Sequence, residues 1–232
     1  MPDVVCLQEV QGDHYESFLL PELQKLGYDG LYKQKTRDSM GMQGRVDGCA
    51  LFYLRDRLSL AEKYVIEFND AAMTLAKEGT LAPYVHNLPP GANEGASARR
   101  QRTQQALQRL CKDNVAQIAI LELRGGSGEK VCISNTHIFW DPEFADVKLW
   151  QTWTLASELD RFTSSRGLPL ILCGDFNSEP DSSVRVVVLR GEVVGAGRGR
   201  GRGVGGVLIC SLKCGKSKRA RNAQTRKGRE SV

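Results

Sequence analysis

Apolar positions along the chain follow two alternating periods. Residues 3 to 8, DVVCLQ, are a short continuous apolar run with β-branched members, ending at Gln8 and Glu9, and they read as a buried strand. In the next stretch, DHYESFLLPELQKLGYDG, Tyr15, Phe18, Leu19, Leu23 and Leu26 recur near helical spacing. Asp13 is placed to cap such a helix and Gly27 to stop it. DGCALFYL (47–54) and VIEF (65–68) read as further strands, and 79–98, rich in Gly, Pro, Ala and Asn, as a surface loop or insertion.

DNVAQIAILEL (113–123) alternates Val115, Gln117, Ala119, Leu121 and Leu123 against the opposite face, turns at GGSG, and returns as KVCISNTHIF, a hairpin. Asp141 before Pro142 predicts the start of a helix running to about residue 162, with Leu149, Trp153, Ala156 and Leu159 as its apolar stripe. LILCGDFN then reads as a strand ending in polar residues. Paired strands with both hairpin and helical connections predict a mixed α/β sheet architecture, not a purely parallel doubly wound one.

Beyond residue 185 the pattern stops. GEVVGAGRGRGRGVGG is low-complexity, and KCGKSKRARNAQTRKGRESV at the C-terminus has too few apolar residues for a core. The expected organisation is one domain over 1–186 and a disordered, basic Gly/Arg-rich tail over 187–232. The net charge of +5 is divided accordingly: from Arg185 onward there are 13 Lys/Arg against Glu192 and Glu230, which leaves −6 for residues 1–184.

A hydrophobic fraction of 41% is enough for a core, and no apolar run has the length of a bilayer span. The start, MPDVVCLQEV, has neither a basic leader nor a small-residue cleavage site. A soluble intracellular protein without membrane partners is expected. Its seven scattered cysteines predict no disulfide framework and suit a reducing compartment; Cys210 and Cys214 lack neighbours that would complete a zinc site.

Candidate chemistry collects at strand ends: Gln8 and Glu9, Asp47, Asn135 and His137, and Asp175 with Asn177. Carboxylates and amides without a Cys/His cluster are the ligand set of a hard cation such as magnesium, not zinc. On an extended backbone Asp175 and Asn177, two apart, point to one side and Phe176 to the other. A carboxylate and an amide could then meet one phosphate, the first orienting or deprotonating a water and the second donating to oxyanion charge. Singly, each feature has a plainer reading: GDFN as an Asp/Asn turn, His137 as a hydrogen-bonded core histidine, Glu9 as a solvated edge residue, Asp47–Gly48 as a turn.

Taken in order, PDVVCLQEV, VDGCALFY, KDNVAQIAILEL, SNTHIFWDPEFADVKLWQT and LPLILCGDFNSEPDSSV resemble successive motifs of the endonuclease/exonuclease/phosphatase superfamily. The likeness spans about residues 2–184 and is greatest to the carbon-catabolite-repressor-type deadenylases, relatives of nocturnin and Angel; NTHIFWDP is its most specific part. The resemblance implies a four-layer α/β sandwich of two mixed sheets and magnesium-dependent (or manganese-dependent) 3′-to-5′ hydrolysis of RNA at poly(A) ends. It places Glu9 at the metal, His137 on the scissile phosphate, and Asp175 and Asn177 on the attacking water and the transition state. Asp47, Asn135 and Trp140 fall on the substrate side. It further implies a larger deadenylase complex as partner and a cytoplasmic, also nuclear, location.

Two departures qualify the likeness. The family places a strand with an asparagine before PDVVCLQE, where this sequence has Met1, and it ends in an aspartate and a Ser-Asp-His motif, whereas the last histidine here is His137. The expected sandwich is therefore incomplete and its activity impaired. The competing expectations are an inactive fragment whose basic tail binds RNA through phosphate contacts, and a phosphatase or nuclease of the same superfamily acting on another phosphoester.

Overall fold

The structure, a computed structural model, describes residues 1–36, 46–81, 95–126, 128–179, 182–184, 187 and 208–210. Its strands are β1 (Val4–Gln11), β2 (Tyr28–Gln34), β3 (Asp47–Leu54), β4 (Leu58–Glu67), β5 (Val115–Leu123), β6 (Lys130–His137), β7 (Leu170–Asp175) and β8 (Leu208–Cys210). They form an antiparallel three-stranded sheet, β1-β3-β2, and a mixed five-stranded sheet, β4-β5-β6-β7-β8, in which β6-β7 and β7-β8 are parallel.

Period-2 alternation assigns each strand face to a layer. Leu51 and Tyr53 of β3 meet Ala119, Leu121 and Ile133 of the other sheet, while Ala50 and Phe52 pack outward on Tyr15, Leu19 and Leu23. On the far side Ile118, Cys132, Leu170 and Leu172 pack against Phe68, Leu110, Trp150 and Leu155. The result is a four-layer α/β/β/α sandwich, as the resemblance implied. Strand β5 lies between β4 and β6, and Val115 through Leu121 are buried on both faces.

The first helical segment runs through α1 (Gly12–His14), a π-helical stretch (Tyr15–Leu19) and α2 (Leu20–Lys25). Pro21 has no N–H to close a bond onto the preceding turn, and the ladder widens just before it, with Leu20 N–H donating to Tyr15 O. Asp13 lies within the first turn instead of capping it, and Gly27 ends the segment at φ +90°.

Other elements depart from the sequence expectation. The strand anticipated at 65–68 is the end of the ten-residue β4, and α3 (Phe68–Glu78) follows it directly. The expected loop at 79–98 ends earlier, because α4 (Ala96–Leu110) begins within it; residues 82–94 lie outside the described residues. The helix predicted from Asp141 starts at Ala145 as α5 (Ala145–Ser164), and Asp141 holds a turn ahead of it by accepting from Glu143 N–H at 2.9 Å. Its buried face is also rotated: Val147, Trp150, Leu155 and Leu159 face inward, with polar Lys148, Gln151 and Thr152 among them. Within the expected tail, Leu208–Cys210 pair with β7; the rest of that segment, apart from residue 187, lies outside the described residues. No helix among the described residues is long and apolar enough to cross a membrane.

Candidate active site

One end of the sandwich gathers the chemistry. The register pairs Gln11 with Asp47, Gln34 with Gly48, Ala116 with Thr136 and His137 with Asp175, so the C-terminal ends of β1, β2, β6 and β7 and the starts of β3 and β5 share one edge. Asn135, His137 and Asp175 alternate in phase with Ile133 and Ile171, which face the other sheet.

Two buried amides hold the sheets together there. Asn135, 0% exposed, donates to Leu7 O (3.1 Å) and Ala50 O (2.9 Å) and accepts from Gln8 Nε2 (2.7 Å). Gln117, with its amide oriented to satisfy both partners, donates to Cys49 O and accepts from Lys33 N–H, each at 3.0 Å. Asn135, expected on the substrate side, thus has its amide directed into the protein, where it fixes β1 and the Gln8–Glu9 end.

Glu9 stands on a bulge. The β1–β3 register slips between Leu7 and Val10, and Glu9 takes a left-handed φ of +58° that turns its exposed carboxylate out of the alternation. Asp47 is bound to Lys35 at 2.5 Å, and the Lys35 side chain is only 10% exposed. Backbone bonds hold the Lys35 segment, from Lys35 N–H to Asp47 O and from Thr36 N–H to Asp113 O, both 3.1 Å. Asn69 ties it further by donating to Thr36 Oγ1 and Asp113 Oδ1, each at 3.1 Å. Nothing in the hydrophobic pattern marks Lys35, since it follows a strand that carries no apolar run.

His137 is 6% exposed, and its Nδ1 is buried without a hydrogen-bond partner among the described residues. Burial lowers its pKa from the ordinary 6.5, and Lys35 pushes the same way, against Asp175, Glu9 and Asp47. All four charged groups therefore act on one imidazole. Its backbone is fixed from behind: Asn114 donates to His137 O (2.8 Å) and accepts from Gln151 (3.1 Å), while Gln151 accepts from Phe139 N–H (3.0 Å). This network explains Gln151 on the inner face of α5.

Strand β7 ends at Asp175, not at Asn177. Asp175 Oδ1 accepts from Asn177 N–H at 2.8 Å, Asn177 turns to φ +45°, and its amide donates to Ile138 O at 2.8 Å. The two side chains consequently do not lie on one extended face, and the plain Asx-turn reading of GDFN is correct for the backbone. Phe176 packs into the helix-covered core, and buried Lys148 holds the turn by donating to Asn177 O at 3.0 Å. Trp140, three residues beyond His137, is 65% exposed and leans on Phe139 at 6.2 Å.

Among the described residues no three of His, Cys, Asp and Glu come together as a closed metal cage. The donor set suits instead a hard cation that keeps most of its waters and takes one carboxylate, and Glu9 is an exposed carboxylate at this edge.

The model of the endonuclease/exonuclease/phosphatase family matches residues 1–207, and the chain belongs to that family, on its carbon-catabolite-repressor branch. It is 42% identical over 200 residues to Carbon catabolite repressor protein 4 homolog 1 of Arabidopsis thaliana, covering 82% of this chain and 30% of that protein. To the CCR4-Not complex 3′-5′-exoribonuclease subunit Ccr4 of Yarrowia lipolytica it is 35% identical over 218 residues, with 82% and 28% covered. The chain thus spans less than a third of the length of either. Among solved structures it is similar to the human Nocturnin catalytic domain with bound sulfate (28% identity, TM-score 0.55, covering 79% of this chain and 54% of that one). It is also similar to ANGEL2, a 2′,3′-cyclic phosphatase, in complex with adenosine-2′,3′-vanadate (27% identity, TM-score 0.58, 87% and 51% covered).

Proposed function

We propose that this chain carries the catalytic edge of a divalent-metal-dependent 3′-to-5′ exoribonuclease of the deadenylase type. The observation that supports it most is the meeting of Glu9, Lys35, Asp47 and Asp175 around one buried, neutral-leaning histidine, in a chain 35% identical to a protein named as a 3′-5′-exoribonuclease subunit.

Each residue then has a task. Glu9 would hold magnesium, or manganese in its place, which when bound would supply Lewis-acid polarisation of the phosphoryl group. Asp175 orients the attacking water and takes its proton. His137, kept neutral at pH 7, donates an N–H to a non-bridging phosphate oxygen. Lys35, locked by Asp47, adds a fixed positive charge where negative charge builds. Asn177 supports the Asp175 turn through its contact with Ile138 O, and exposed Trp140 offers a face on which a base can stack. Poly(A) 3′ ends as substrate, a larger deadenylase complex as partner, and a cytoplasmic and partly nuclear location belong to the same proposal.

The similarity to a 2′,3′-cyclic phosphatase favours one alternative, hydrolysis of a terminal cyclic phosphate. The 232-residue chain and its Asp175→Asn variant are incubated with magnesium and end-labelled oligo(A), oligo(C) and an RNA ending in a 2′,3′-cyclic phosphate. Stepwise release of AMP from oligo(A), lost in the variant, is the expected result. Conversion of the cyclic end without shortening supports the phosphatase reading. Equal products from wild type and variant overturn both.

A further inference from the structure

The cavity beside the catalytic edge has a second chemical feature. A pocket of about 360 Å³ between β1 and β7 is lined by Val4, Leu7, Ile133 and Ile171 and by two thiols, Cys6 and Cys173. Both cysteines are part-exposed, unlike wholly buried Cys49 and Cys132. Both face the inter-sheet layer: Cys6 packs in the cluster of Leu51, Tyr53 and Ile133, and Cys173 follows Ile171 by one strand period.

The two thiols line one pocket, and the interaction of Cys173 with Cys6 holds the Cys173 pKa below its ordinary 9.0 against the opposing effect of burial. Strands β1 and β7 belong to different sheets but approach within 8 Å, Cα to Cα, closer than the roughly 10 Å of ordinary sheet stacking. A disulfide requires Cα atoms within about 7 Å of each other, a separation that two strands in contact at this distance approach. Burial raises the pKa of Cys49, Cys111 and Cys132 instead.

We propose that Cys6 and Cys173 form an oxidation site, at which a hydroperoxide joins β1 to β7 by a disulfide. The Cys173 thiolate attacks one oxygen of ROOH, the O–O bond breaks, and ROH leaves once the departing oxygen takes a proton. The sulfenic acid formed on Cys173 is then attacked by the Cys6 sulfur, forming the S–S bond and releasing water with the remaining proton. Two thiols and ROOH give one disulfide, ROH and water; the two electrons end on oxygen. Small polar ROOH species reach the pair through the pocket mouth.

Cys6 is three residues before Glu9 and Cys173 two before Asp175, so closure clamps together the two strands that carry these carboxylates. In a reducing compartment the pair rests as dithiol and the bridge is transient.

The full chain is treated with hydrogen peroxide, quenched by alkylation and mapped by mass spectrometry under non-reducing conditions. A peptide joining Cys6 to Cys173, with loss of both alkylatable thiols, is expected, together with a higher thermal midpoint that dithiothreitol reverses. Cys173→Ser abolishes the linked peptide and the shift, whereas Cys132→Ser leaves both. Sulfinic acid at Cys173 without the linked peptide, or Cys6 joined mainly to any other cysteine, overturns the proposal. The mapping is made on the unaltered chain, so the result does not depend on any variant folding.

Discussion

His137 and Asp175 stand opposite each other in the parallel register of β6 and β7, with Ile138 N–H donating to Asp175 O at 2.9 Å just beyond the pair. Parallel pairing puts both residues at the C-terminal ends of their strands, and alternation turns both toward the facing sheet. The carboxylate thus lies beside an imidazole that burial keeps uncharged, an arrangement suited to proton transfer from water at neutral pH.

Titration of His137 is the first consequence. Burial and Lys35 hold its pKa below 6.5 in the fold, whereas the unfolded chain takes up a proton near the ordinary value. The stability that comes from keeping it neutral is therefore complete above pH 6.5 and is lost as pH falls through the depressed value. Thermal midpoints measured downward from about pH 7 should fall more steeply for wild type than for His137→Asn. In Lys35→Met the imidazole should titrate at higher pH, as read by NMR of the ring protons; an unchanged titration would contradict the placement of Lys35.

Asn135 carries a stability prediction with no catalytic ingredient. Asn135→Ala removes three hydrogen bonds and leaves Leu7 O and Ala50 O without the donor that joins the sheets. The cost is on the order of 3 kcal/mol, since buried carbonyls are left unsatisfied. Urea unfolding near neutral pH measures it; a loss below about 1 kcal/mol, the worth of a single ordinary hydrogen bond, would mean that the amide does not pin the sheets.

These two residues also mark where the sequence is legible. Strands β1, β3, β5, β6 and β7 carry dense β-branched or apolar runs, and their polar ends mark Glu9, Asp47, His137 and Asp175. Strand β2, YDGLYKQ, has Asp29 and Gly30 near its start and no apolar run. Its Gly30 is required by Tyr15 and Phe52, which come within 2.8 Å of where a Cβ would sit, a tertiary reason invisible locally. Helix α4 has an almost wholly polar surface, with Ala106 and Leu110 as its only buried residues, so periodicity gave no sign of it. Lys35, Asn114 and Gln151 were missed because they act through partners far away in sequence.

Gly174 allows β7 to approach β6 at the site. A Cβ there would lie 2.4 Å from Thr136 O and 2.9 Å from Thr136 Cγ2, with φ at +153°. Gly174→Ala should cost on the order of 3 kcal/mol or shift β7 away from β6. Gly79→Ala is the comparison: its φ is +72° but the nearest atom, at 3.1 Å, is the flexible end of Arg99. That variant should lose only about 1 kcal/mol. Equal losses in chemical denaturation would show that backbone angle, not the approach of the strands, governs both sites.

Glu9 separates stability from function. A non-glycine residue in the left-handed region costs about 1 kcal/mol, and Glu9 takes that angle while exposed on its bulge. The bulge nevertheless aims a carboxylate at the edge where His137 and Asp175 lie. Glu9→Gly should therefore stabilise the metal-free protein by about 1 kcal/mol by relieving that angle. The same change should weaken Mn²⁺ binding, followed by paramagnetic relaxation, and lower RNA cleavage by about a hundredfold or more. Glu9→Gln retains the angle and the strain but loses the charge, so it should lose metal binding without the gain in stability. A Glu9→Gly protein that binds Mn²⁺ as well as wild type would remove Glu9 from the proposed metal site.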